Sequence, residues 1–308
     1  MKTTPRTTPL KTLSLAAAAG LTLGIGNTPE LKATHLAVEV QAVHNVNATE
    51  VYDSVHVSTS GILNVYGKLV VAGSLSLNQG GTLEVYGEME ALDKTNVTAS
   101  DLHVSNGIFK ASNGVFIDHN AILSLTCGEL LIGSYVFGNV GSTLNVGSNS
   151  ALFIDESLVK ADDVYVYDST LSVSGGGQLE ARNTMVVGTS NSVVVDLNPA
   201  ISWVIPFVVP EGSFYLDSPL SIYNLPFSYE FAAGTEFIIA EARDGVYGSG
   251  LTATTILSDV TGQQFDLSVN GSQLVLTAQA IPEPSTYALI GGVGAVALAV
   301  LARRRRRG

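Results

Sequence analysis

A repeat limits what this chain can fold into more than any other feature. Gly61-Ile-Leu-Asn-Val-Tyr-Gly-Lys-Leu69 returns as Gly81-Thr-Leu-Glu-Val-Tyr-Gly-Glu-Met89, twenty residues on. Weaker echoes follow at Ala121-Ile-Leu-Ser-Leu125, Ser142-Thr-Leu-Asn-Val-Gly147, Ser169-Thr-Leu-Ser-Val173 and Gly177-Gln-Leu-Glu-Ala181. A second group reads Asp53-Ser-Val-His-Val-Ser58, Asp101-Leu-His-Val-Ser105 and Asp163-Val-Tyr-Val166. Each segment is short, alternates apolar with polar residues, and is bounded by Gly, Asn or Ser. That is the pattern of strands joined by tight turns, with no helical period. A period near twenty marks a β-solenoid, in which one coil cannot bury its apolar face and stacked coils can.

The fold class expected is therefore all-β, a parallel β-solenoid (β-helix). The alternative is a β-sandwich of the same strands. The repetitive stretch runs from about Val51 to Leu197, enough for about seven coils. The domain is placed at 34–197. Side chains alternate along a strand, so Leu63, Val65, Leu83, Val85, Leu123, Leu125, Leu144, Val146, Leu171 and Val173 should point inward. Asn64, Tyr66, Lys68, Glu84, Tyr86 and Glu88 should point out. Coils stack about 4.8 Å apart, which would rest Tyr66 on Tyr86 and set Lys68 against Glu88. The period drifts after Gly114. Beyond Leu197 prolines appear and the Gly rhythm fades, so 198–280 reads as a β-rich cap or small β-sandwich closing the last coil.

Both termini carry export signals. Lys2, Arg6 and Lys11 precede an uncharged Ala/Leu/Gly stretch from Leu13 to Gly26, a Sec-type signal peptide within 1–33 whose partner is the Sec translocon. At the other end, Pro282-Glu283-Pro284 is followed by an uncharged apolar run and then by Arg303, Arg304, Arg305, Arg306 and Arg307. The prolines keep their predecessors extended, so a helix begins only after them. A transmembrane helix over 286–302 would span about 25 Å, and the arginines would hold its end in the cytoplasm.

This order of motif, helix and arginines at 281–308 resembles the PEP-CTERM sorting signal of Gram-negative bacteria. The resemblance implies export across the inner membrane, transient membrane anchoring, and processing near Pro282-Glu283-Pro284 by an exosortase. It also implies a host that makes extracellular polysaccharide. The repeats followed by Asn270-Gly-Ser-Gln-Leu-Val-Leu276 resemble autotransporter-like passenger proteins in texture, with the sorting tail standing where their membrane barrel would be.

Charge and chemistry narrow the function. The chain carries −12, and without Lys2, Arg6, Lys11 and the terminal arginines the exported core sits near about −20. Such a surface repels nucleic acid. The single Cys127 has no disulfide partner and reads as a small buried apolar residue. His56 and His103 occupy matching repeat positions and should face solvent; His35, His44 and His119 lack ligand spacing. No cofactor or metal motif and no catalytic signature is present. The densest carboxylate runs, Asp155-Glu156 and Asp162-Asp163, read as solvated turns. The function expected is an exported surface or extracellular-matrix structural protein associated with exopolysaccharide and biofilm, not an enzyme. The alternatives are a polysaccharide-binding module, with Tyr52, Tyr66, Tyr86, Tyr165 and Tyr167 as candidates for stacking on sugar rings, or a β-helix polysaccharide lyase or hydrolase.

Overall fold

The computed structural model describes residues 30–31, 35–39, 42–138, 141–189, 191–196, 204–223, 231–252, 256–257 and 263–280. Successive strands turn three corners per coil and build a three-faced parallel β-solenoid of about eight turns. The first face is a sheet of nine strands, from Val43–Val46 and Ile62–Val65 to Ser192–Asp196 and Leu220–Tyr223. The second face begins Glu30–Leu31, Thr49–Tyr52, Lys68–Val71, Glu88–Ala91 and reaches Phe207–Val209. The third begins His35–Val38, Ser54–Ser58, Leu75–Asn78 and reaches Gly245–Tyr247. Two long strands, Leu158–Val166 and Gln178–Val187, run round the corner from the second face to the third. Coil-to-coil pairing is parallel throughout, which excludes a sandwich of antiparallel strands.

The register follows from alternation. Leu63 pairs with Leu83, Leu83 with Leu102, and so on through Leu123, Leu152 and Leu171, giving one leucine column inside the first face. All ten residues expected inside are at most 2% exposed. The Gly rhythm has a steric cause at the corners. A Cβ on Gly87 would meet the Gly67 carbonyl oxygen at 2.1 Å, so coils can stack this closely only with glycine there.

The drift after Gly114 is an insertion. The step from Ile122 to Ala151 is longer than the others because the short helix Ser134–Phe137 and its flanks bulge from the corner between second and third faces. At several corners buried side chains partner backbone groups that the strand ladders leave over. Ser157 Oγ accepts from Gly128 N–H at 3.0 Å, and Ser150 Oγ accepts from Ala121 N–H at 3.2 Å. Asn191 donates to the carbonyls of Val166 and Gly188 and accepts from Ser169 N–H. Buried backbone groups need partners, and these residues supply them.

Two echoes prove to belong to other faces. Thr143–Val146 lies on the third face, with Leu144 between Val115 and Val164, and Gln178–Ala181 lies on the second. Likewise Val55-His56-Val57 is on the third face and Leu102-His103-Val104 on the first, so the two histidines are not neighbours. All three faces use the same in–out alternation over four or five residues, so alternation alone cannot tell them apart.

Parallel stacking resumes in the described residues after 203: Leu179 pairs with Phe207, Met185 with Phe214, Val193 with Leu220, and Phe207 with Ala240. It also begins before Val51, with Glu30–Leu31 beside Glu50 and Val51. Beyond these coils, Glu236–Ala242, Gln273–Ala278 and Gln264–Asn270 pair antiparallel. Phe231 packs edge-on against Phe237 and Phe265 beneath them. Among the described residues no helix is long and apolar enough to cross a membrane. The expected transmembrane helix 286–302, and the signal stretch up to residue 29, lie outside the described residues.

Candidate functional site

The outward side chains form columns one coil apart. Tyr66 and Tyr86 are 53% and 41% exposed, with ring centroids 5.0 Å apart and planes 6° from parallel. Each ring therefore spends one face on the other, and Glu84 pushes up the Tyr86 phenol. Next to them on the second face, Lys68 reaches Glu88 at 3.4 Å and Glu90 at 2.8 Å. Lys110 pairs with the same two carboxylates. The result is a charge grid over three coils.

Tyr52, a candidate for sugar stacking, is not outward. It is 4% exposed and its hydroxyl donates to Glu50 Oε2 at 2.8 Å. Tyr52 and Glu50 pair with Val71 and Leu69, which are core positions, so the strand's alternation runs opposite to a reading based on surface tyrosines.

A second aromatic column emerges only from the register. On the third face the outward residues read His56, Ser76, Asn96, Phe116, Asn145, Tyr165, Val186, Tyr215, Tyr247. The column is polar at its N-terminal end and aromatic at its C-terminal end. Tyr215 and Tyr247 stack at 5.4 Å, and Tyr165 lies 6.4 Å from Tyr167. Tyr215 and Tyr247 escaped the sequence reading. Their signal is Phe214-Tyr215 and Val246-Tyr247, each an inward apolar residue followed by an outward tyrosine, as in Val164-Tyr165.

The carboxylate runs are not solvated turns alone. Asp162 sits at a bulge in Leu158–Val166 and is fully buried. Its carboxylate accepts from the Ser134 and Ser142 amides and from Ser134 Oγ, which ties the inserted helix to the coil. Burial, then the charge of Asp162, pushes up the Asp163 carboxyl. On the same corner Tyr135 donates to Glu180 at 2.8 Å, Lys160 pairs with Glu180 at 2.8 Å, and Lys160 sits 5.4 Å over the Tyr135 ring. Burial and that carboxylate push the Tyr135 phenol up, so it stays a donor. These groups satisfy one another as a clamp on the insertion.

Asp155 and Glu156 lie at the corner between first and second faces. Asp155 Oδ1 accepts from Ser174 Oγ at 2.9 Å, and Glu156 Oε2 accepts from the Cys127 thiol at 3.2 Å. Cys127 is exposed at a left-handed turn (φ 52°), not buried as expected. The Glu156 hydrogen bond pushes its pKa up, which disfavours a reactive thiolate. A shallow open pocket of about 290 Å³ here is lined by Cys127, Glu129, Glu156 and Gln178 among others. The histidines lie apart: His35 meets Ser54, His56 meets Ser76, His119 meets Asp118, and His44 turns inward to Glu50. Among the described residues no group of three or more His, Cys, Asp or Glu is placed to hold a metal ion.

Pro282, Glu283, Pro284 and Arg303 to Arg307 lie outside the described residues; the structure fixes where the chain leaves for them. The last strand, Gln273–Ala278, lies between Glu236–Ala242 and Gln264–Asn270, and Gln279 N–H still donates to the Gln264 carbonyl. Compared with known families, residues 280–307 match the PEP-CTERM protein-sorting motif. That motif implies export, a membrane-anchored C-terminal sorting signal processed by an exosortase, and then surface localisation. No curated protein matches the chain, and no solved structure does.

Proposed function

We propose that this chain is a structural protein of the cell surface or extracellular matrix of a Gram-negative bacterium, associated with exopolysaccharide and biofilm. The Sec translocon exports it through the N-terminal signal, the helix at 286–302 anchors it briefly, and an exosortase processes it near Pro282-Glu283-Pro284. The single observation that carries this reading is the sorting motif at 280–307, directly behind a closed β-solenoid. The solenoid itself supports a structural role. The cations on its second face are spent in ion pairs, and two buried carboxylates, Asp162 and Glu50, are spent on loop amides and on Tyr52. We therefore read it as a non-enzymatic protein that needs no cofactor.

A second reading, polysaccharide binding, draws on Tyr165, Tyr215 and Tyr247, aromatic rings gathered on one face. Mass spectrometry of the mature protein, from hosts with and without exosortase, tests the main reading. A chain shortened near Pro282-Glu283-Pro284 only with exosortase present is expected. Arg307 still attached to the released form would overturn it. Titration with the host exopolysaccharide, followed by tyrosine fluorescence, tests the second.

A further inference from the structure

The cap's last strand ends at Ala278, directly before the sorting motif at 280–307. The exit of the last strand is pinned. Ala278 N–H donates to the Thr235 carbonyl at 2.9 Å, and the Ala278 carbonyl accepts from Gly234 N–H at 2.8 Å. Gln279 N–H donates to the Gln264 carbonyl at 2.8 Å, and the Gln279 carbonyl accepts from Gln263 Nε2 at 3.1 Å. Gln263 is fully buried and also bonds both backbone groups of Phe231. Only Ala280 and Ile281 separate this pinned residue from Pro282. Three Cα steps cover at most about 11 Å.

An enzyme that processes an extended motif lays chain on both sides of it into a cleft. Two residues cannot supply the upstream half while the cap stays closed. We propose that exosortase processing of this chain is gated by the cap: cleavage draws on the state in which Ala278 and Gln279 have peeled away, and Gln263 sets how often that state occurs. This rests on the sorting reading above. The end of a strand opens locally without global unfolding. When opening and closing are fast relative to cleavage, the rate follows the population of the open form. Gln263 is a positioning residue here, since it acts through the backbone of Gln279.

The test is a pulse-chase of precursor conversion in an exosortase-bearing host. The chains compared are the parent, Gln263→Ala, the parent with a Gly/Ser linker of about eight residues after Ala280, and both changes together. Gln263→Ala should speed conversion about five- to tenfold, the value of a buried hydrogen-bonding group. The linker should speed it at least as much, and adding Gln263→Ala behind the linker should change nothing further. Equal rates for parent and linker chains would overturn the gate. So would a Gln263→Ala effect that persists undiminished behind the linker, because the variant would then act by general instability. A parent that is processed but indifferent to the linker sinks the gate alone; a parent never processed sinks the sorting reading and the gate with it.

Discussion

At the N-terminal end of the solenoid three core columns run into polar side chains; at the C-terminal end the second face runs into antiparallel strands. In the coil of Val43–Val46 and Thr49–Tyr52, His44 stands in register with Leu63, Glu50 with Leu69 and Tyr52 with Val71. Three apolar columns thus give way to polar residues around one acceptor: Glu50 Oε2 lies 2.8 Å from the Tyr52 hydroxyl and 3.3 Å from His44 Nε2. At the other end the Phe207 and Phe214 rings stack at 5.5 Å inside the last coils, and antiparallel strands pair with the edge of the second face. An open parallel edge is a template for another chain. One end answers with side chains, which interrupt the core, and the other with backbone pairing, which extends it. The side-chain closure should be the cheaper to lose.

Substitutions at both ends measure that difference. Leu276→Asp places a charge in the middle strand of the cap, at a fully buried position, and should cost more than about 4 kcal/mol. Glu50→Ala removes the shared acceptor and should cost about 1–3 kcal/mol. Urea unfolding midpoints of the two variants decide. If Glu50→Ala proved as damaging as Leu276→Asp, the N-terminal cluster would be a keystone of the fold and the contrast between the ends would fail.

A smaller effect comes from the middle, where neither kind of closure is needed. Thr95 occupies a core column between Leu75 and Val115, is fully buried, and its hydroxyl has no hydrogen-bond partner among the described residues. Thr95→Val restores an apolar column at nearly constant volume. It should stabilise by about 1 kcal/mol, read as a raised thermal midpoint. A loss of stability would mean that polar interruptions are tolerated inside the stack as they are at Glu50.

How far the sequence could be read follows the same line from centre to ends. Around Leu63 and Leu83 every strand serves one alternation, two glycine corners and a near-constant period, so register, burial and the Tyr66–Tyr86 stack were all legible. Legibility failed at Thr143–Val146, because a strand's pattern carries no label for its face and the insertion at 133–142 moves the count. It failed again at Tyr52 and Cys127. Tyr52 is buried because its hydroxyl finds Glu50, and a carboxylate's position in the core is invisible without register. Cys127 is exposed because it occupies a corner that needs a left-handed residue, a backbone demand that a lone cysteine does not advertise. Of the candidate sites, Pro282-Glu283-Pro284 and the arginines were readable as a linear motif. The third-face column ending in Tyr215 and Tyr247 was not, since its members are separated by a whole coil.

The smallest expected effect concerns the charge grid, which faces outward one coil from the N-terminal closure and lies far from the C-terminal one. Burial alone would raise the Glu88 carboxyl, but the hydrogen bond from Lys110 and the charges of Lys68 and Lys110 outweigh it and hold it below its ordinary 4.5. A carboxylate depressed in the folded state adds stability that is fully present above pH 4.5 and is lost as the pH falls through the folded value. The group is 32% exposed, so solvent screens much of this, and the contribution should stay below about 1 kcal/mol. Glu88→Gln keeps the shape and removes the titration. The parent should lose more stability than Glu88→Gln between pH 6 and pH 3, measured by urea midpoints, and the two should converge in high salt. Because the grid sits in the regular coils, Glu50→Ala and Leu276→Asp should leave this acid-side difference unchanged. If either abolished it, the ends would be coupled to the middle, and the solenoid would not be the chain of nearest-neighbour contacts that its register describes.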